Sequence, residues 1–167
     1  MTTAAPITPI TPAQKRIAER LVRGRTNSEI AAEGHLSGAT VTSHIRGMRR
    51  SLRCPPRSSR PVLAHALLLH RQVPVPSLSV VRPSFAADED QRRLLTALAE
   101  HSALADIAKA AKITPADVKA STEDLVRAAG VANATQLVGW GHALGLLGAD
   151  AEVVPSSSTA VGEGAAR

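Results

Sequence analysis

Apolar residues in the first third of the chain recur at helical spacing. Ile17, Leu21 and Val22 fall at i, i+4 and i+5, one stripe of a helix. Thr11 is placed to cap it, with Pro12 at the first helical position, Gln14 at the capping-box position and Gly24 at the end. A short second helix is expected from about Asn27 to Glu33, with Ile30 and Ala31 turned inward. Gly34 interrupts it, and Leu36 is expected to plug the turn. Ser37 is the expected cap of a third helix, in which Val41, Ile45, Met48 and Leu52 follow i, i+4, i+7 and i+11. After a short polar break, a fourth helix carries Val62, Leu63, Ala66, Leu67 and Leu69. These exceed what a three-helix core needs and predict a second packing surface.

The same pattern returns at a constant offset of 77 residues. Ile17 corresponds to Leu94, Leu21 to Leu98, Ile30 to Ile107, Ala31 to Ala108, Leu36 to Ile113, Val41 to Val118 and Met48 to Leu125. Ile45 becomes Thr122 and Leu52 becomes Ala129, which predicts a thinner second core. Matching apolar positions predict the same fold twice, an all-α chain of tandem four-helix units. The expected boundaries are residues 10–71 and 85–149, with a linker over 72–84 and a disordered tail over 150–167.

The charges distinguish the copies. On the third helix Thr42, Arg46, Arg49, Arg50 and Arg53 oppose the apolar stripe. A row of hydroxyl and guanidinium groups suits a DNA major groove, because arginine pairs with phosphate or with guanine and short hydroxyl side chains permit close approach. In the second copy Arg46 becomes Glu123, Arg49 becomes Val126 and Thr40 becomes Asp117, with Asp124 alongside. Carboxylates there repel the phosphate backbone, so the second copy is expected to be impaired for DNA. The competing reading has both copies bind, through Lys119 and Arg127 in the second. Residues 1–83 hold 13 Lys and Arg against 3 Asp and Glu, a net of +10; residues 84–167 hold 7 against 11, a net of −4. Such a contrast implies that the first half binds a polyanion.

The first copy resembles the LuxR/GerE-type helix-turn-helix of bacterial transcription regulators. Ile10-Thr11-Pro12 is similar to its opening "LTP", Gly24 through Ala31 to its "GxSNKEIA", and Leu36 through His44 to its "ISxxTVKxH". The resemblance implies that Thr42, Ser43 and Arg46 face base edges and that Ser28, Thr40, Arg49 and Arg50 lie near phosphates. For Thr42 and Arg46, four residues apart on the exposed face, the helical spacing agrees; Ser43 rests on the resemblance alone. Thr42 stands in place of the family's lysine, Gly47 in place of its usual asparagine, and Cys54-Pro55-Pro56-Arg57-Ser58-Ser59 makes an unusual loop. The family dimerises through its fourth helix. That implies assembly through Val62, Leu63 and Leu67, either with another chain or with Leu137, Trp140 and Leu144 of the second copy in an internal pseudo-dimer.

The remaining segments add limits. Met1 to Pro9 reads as a fraying arm, and the prolines of residues 72–84 predict an extended, semi-rigid spacer. Two units of this size leave no room for a receiver or ligand-sensing domain of ordinary size. The single Cys54 excludes an intrachain disulfide and reads as a surface thiol in a reducing, cytoplasmic setting. No signal peptide or membrane-spanning segment is expected. One Phe, one Trp and no Tyr argue against recognition of single strands by base stacking. His44 has no second His or Cys at ligand spacing, and no phosphate loop, nucleophile triad or carboxylate pair appears. No enzyme, metal or cofactor is expected. The expected function is a transcription regulator reading double-stranded DNA, with the acidic copy for assembly or partner docking. The alternative is a protein-interaction module, similar to sigma-factor region four, that serves RNA polymerase or another regulator and binds DNA weakly.

Overall fold

Capping side chains open six of the helices found among the described residues, 6–77 and 85–148 of this computed structural model. The elements are α1 (Pro12–Val22), α2 (Asn27–Gly34), α3 (Gly38–Ser51), α4 (Arg60–Leu69), α5 (Glu89–Glu100), α6 (Leu104–Ala111), α7 (Val118–Ala129) and α8 (Ala134–Ala143). No strand forms among the described residues, so the fold is all-α.

Two local devices of the first half recur 77 residues later. The Gln14 amide donates to Thr11 Oγ1 (3.2 Å) while Gln14 Oε1 accepts from the Thr11 amide (3.0 Å). Gln91 and Asp88 repeat this box at 2.8 and 3.0 Å. Helix α2 ends on His35 in the left-handed conformation (φ 51°), and α6 on Lys112 (φ 59°). The entries to α3 and α7 differ. Ser37 caps α3, whereas Thr114 donates its hydroxyl to Asp117 Oδ2 (2.6 Å) and α7 starts later, without a side-chain cap.

The apolar stripes become one core shared by both halves. Ile17, Leu21, Ile30, Val41 and Met48 are buried in the first half, and Leu94, Leu98, Ile107, Val118 and Leu125 in the second. Helix α4 packs along α8, and the contact is flanked by α1 on α8 and α4 on α5. Leu63, Leu67 and Leu137 are fully buried, Trp140 is buried against a tilted Phe85 ring 5.2 Å away, and Val62 is half-buried. A cleft of about 350 Å³ lies between α5 and α7, lined by Leu94, Ile113 and Leu125.

Five expectations change. Leu36 does not plug the turn: it is 38% exposed and lies over Gly34. Leu144 and Leu69 also stay exposed, so Leu144 takes little part in the α4–α8 contact. The linker is no spacer over its described part. Gln72 accepts from the Ile10 amide (3.1 Å), Val73 is buried, and Pro76 lies beside Gly139; residues 78–84, like the expected tail over 150–167, lie outside the described residues. Cys54 packs half-buried against the core, and burial raises its thiol pKa. The end of the N-terminal arm is also held: Ile7 and Ile10 pack on the core, and the Thr8 amide donates to the Ser51 carbonyl (3.1 Å).

The two halves meet at close range. A Cβ on Gly139 would lie 2.5 Å from the Val22 carbonyl oxygen, so α8 touches α1 backbone to backbone. Ser102 Oγ accepts from the amide of Ser59, the α4 cap (2.9 Å). His65 Nδ1 and His142 Nε2 are 2.9 Å apart across the α4–α8 contact. Burial lowers both imidazole pKa values; the neighbouring His65 lowers His142 further, to about 4, while on His65 Glu100 acts upward and His70 downward.

Two outcomes are expected of this junction. Gly139→Ala should destabilise the chain by about 1–3 kcal/mol through overlap with an immovable carbonyl. That exceeds the gain of about 1 kcal/mol from removing a helical glycine. A urea midpoint at or above the parent's would contradict the close approach. Acid should also loosen the junction. The unfolded chain protonates these histidines near their ordinary 6.5, so their contribution is whole above that pH and is lost as pH falls toward about 4. His142→Gln should flatten the pH dependence of the unfolding midpoint across that window, and an unchanged slope would show that the pair does not titrate with folding.

Candidate nucleic-acid interface

Helix α3 separates its residues by depth. Val41, Ile45 and Met48 are buried, as is Leu52 at its C-cap, and this anchors the helix against the core. Thr42, Ser43, Arg46 and Arg50 stand exposed on the other side, with Arg53 just beyond the helix. Gly47 leaves room for a side chain of α1. A Cβ there would lie 2.8 Å from Nε2 of Gln14, the residue that closes the α1 capping box.

The other expected contact residues are placed unequally. Ser28 is exposed in the first turn of α2. Thr40 is half-buried, its hydroxyl 2.8 Å from Ser37 Oγ and its amide donating to that same oxygen (3.0 Å), so it supports the start of α3. Arg49 is half-buried, with an Nε that lacks a hydrogen-bond partner, close enough to Cys54 and Arg60 for its charge to act on both. It sits beside the buried stripe, one position on from Met48, and is less available than Arg46 or Arg50.

Pairing divides the cations more sharply than position does. Arg25 binds Glu29 (3.3 Å) and Glu33 (3.2 Å), and Arg20 binds Glu33 (3.1 Å). Thr26, by backbone and then side-chain hydrogen bonds, and Arg25 hold the Glu29 carboxyl below its usual range, so these charges serve the α1–α2 corner. Arg46, Arg50, Arg53 and Arg57 have no acidic partner among the described residues. On α7 the cations are paired: Lys119 faces Glu123 at 3.9 Å and Arg127 binds Asp124 at 2.7 Å. One helix thus presents unneutralised guanidinium groups to solvent, and its counterpart does not.

Two residues that hold the site were not legible as part of it. Arg60, at the start of α4, donates to Asn27 Oδ1 and to the Arg25 carbonyl, and is half-buried in doing so. Asn133, the cap of α8, donates from Nδ2 to the Gly24 carbonyl (2.7 Å). Both grips fall on the corner that leads into α2. No group of His, Cys, Asp and Glu among the described residues can hold a metal ion, and no described helix is long and apolar enough to cross a membrane.

No curated protein and no solved structure matches the chain. The family model that does match covers the segment just described, α1 through the first half of α4. Residues 8–65 match the model of the GerE family, described as bacterial regulatory proteins of the luxR family.

Proposed function

We propose that the chain is a transcription regulator that reads duplex DNA with α3. The observation that carries this reading is the row of exposed, unpaired arginines on α3, set on a helix whose opposite side is locked into the core. Thr42, Ser43 and Arg46 meet base edges; Ser28 and Arg50 take phosphates, with Thr40 and Arg49 behind them. The acidic second half is an altered copy of the same unit, with α7 in the place of the reading helix. Its α8 covers the apolar side of α4, which makes the chain its own partner, an internal pseudo-dimer. Helix α7 stays out of the groove, since its cations are neutralised by their neighbours.

A second role draws support from one observation. The α5–α7 cleft is lined by Leu94, Ile113 and Leu125, and of the aspartates at its edge Asp90 and Asp124 are paired with Arg93 and Arg127. That suits an apolar segment of a partner, such as RNA polymerase or another regulator.

Arg46→Ala in the full chain should cost about 1–3 kcal/mol of discrimination between operator and random duplex without lowering the unfolding midpoint, because the side chain lies outside the core. Gel-shift titration against a selected site is the test, and unchanged discrimination would remove α3 as the reader. Arg50→Ala should weaken binding evenly across sequences and reduce the salt slope by about one. Arg127→Ala should leave that slope alone, and a comparable loss there would favour two reading copies.

A further inference from the structure

The corner between α1 and α2 is gripped from both sides by side chains of distant helices. Gly24 is buried with φ 83°, and a Cβ there would lie 2.7 Å from Gln136 Cβ and 3.0 Å from Asn133 Oδ1. Its carbonyl accepts from Asn133 Nδ2 at 2.7 Å, a bond linking residues 109 positions apart. The next carbonyl, that of Arg25, accepts from Arg60, whose guanidinium also holds Asn27 Oδ1. Consecutive peptide groups are therefore held by α8 and by α4, the pair that joins the halves. Immediately after them come Thr26, the α2 cap, and the exposed Ser28.

Asn133 performs two tasks with two atoms. Its Oδ1 accepts from the Gln136 amide (3.0 Å) and caps α8, while its Nδ2 reaches the other half of the chain. A cap alone needs only the acceptor, and serine or aspartate supplies that equally well. The choice of an amide is explained by the donor.

We infer that Asn133 is a positioning residue for DNA binding: through the Gly24 carbonyl, the second half sets the pose of the α2 N-terminus relative to the reading helix. The acidic half thus acts on DNA affinity without touching DNA. Arg60 completes the hold from α4, and the Asn133 grip alone is lost if α8 leaves α4. This inference rests on the reading of α3 and α2 as the DNA-contacting elements, and its test separates the two.

The experiment uses the full-length chain and a duplex selected for binding. Asn133→Ser keeps the α8 cap but has no group to donate to Gly24; Asn133→Asp keeps the cap and sets a carboxylate oxygen against that carbonyl. Both should retain the parent's circular dichroism and solution mass. Asn133→Ser should bind about three- to tenfold more weakly, the scale of one lost hydrogen bond, with a salt slope shallower by about one. Asn133→Asp should bind more weakly still. Arg60→Lys, whose single ammonium does not replace a two-pronged guanidinium, should reproduce the shallower slope. Without DNA, hydrogen exchange at the Glu29 and Ile30 amides should quicken in all three variants while α3 stays protected. Parent-like exchange at those amides, or parent-like affinity and slope in Asn133→Ser, would reduce Asn133 to a helix cap and overturn the inference. Full discrimination in Arg46→Ala would instead bring down the DNA-reading account, and the exchange rates would still decide whether the clamp exists.

Discussion

The Val22 carbonyl leaves no space for a side chain at position 139, and the arrangement of the two halves follows from that approach. With α8 drawn down to the α1 backbone, α8 packs along the apolar side of α4, with Leu137 and Val138 fully buried. A helix carrying Leu63, Leu67 and Leu68 is too apolar to stand in water alone, so something must cover it. Here the cover is the chain's own second half. The His65–His142 pair and the Ser102–Ser59 bond add polar contacts at the edge of the same junction.

That arrangement gives a sense to the charge asymmetry. Two equal reading helices would each need free cations; α3 has them, whereas Lys119 and Arg127 of α7 are paired. Helix α7 keeps Val118 and Leu125 buried while its surface ion pairs cancel. Exposed pairs of this kind contribute only about 0.2–1 kcal/mol to stability, so their consequence is electrostatic neutrality at the surface more than strength. A buried core beneath a neutral face suits the structural role proposed for the second half.

Much of the fold was legible because its determinants are local. The stripe Val41–Ile45–Met48–Leu52 and the Thr11–Gln14 box each lie within a few turns of one helix, and each forms as its spacing dictates. Depth was less legible. Leu36, Leu69 and Leu144 are apolar yet exposed, since periodicity gives a direction without saying what stands there to cover it. The segment from Gln72 to Ser77 was misjudged because prolines prescribe extension without deciding whether the extended chain packs, and Val73 does. Arg49 lies at the boundary between two faces, where one position on a helical wheel turns an outward guanidinium into a half-buried one. Arg60 and Asn133 could not be found from spacing at all, because their bonds cross 33 to 109 residues of sequence.

The central claim is that one chain supplies both halves of the assembly. The mass of the protein bound to a duplex carrying its selected site, measured by light scattering or native mass spectrometry at saturation, addresses it most directly. A single chain per duplex is predicted, because the apolar side of α4 is already occupied by α8. Two chains on one site, joined through α4 with α8 displaced, would contradict the account.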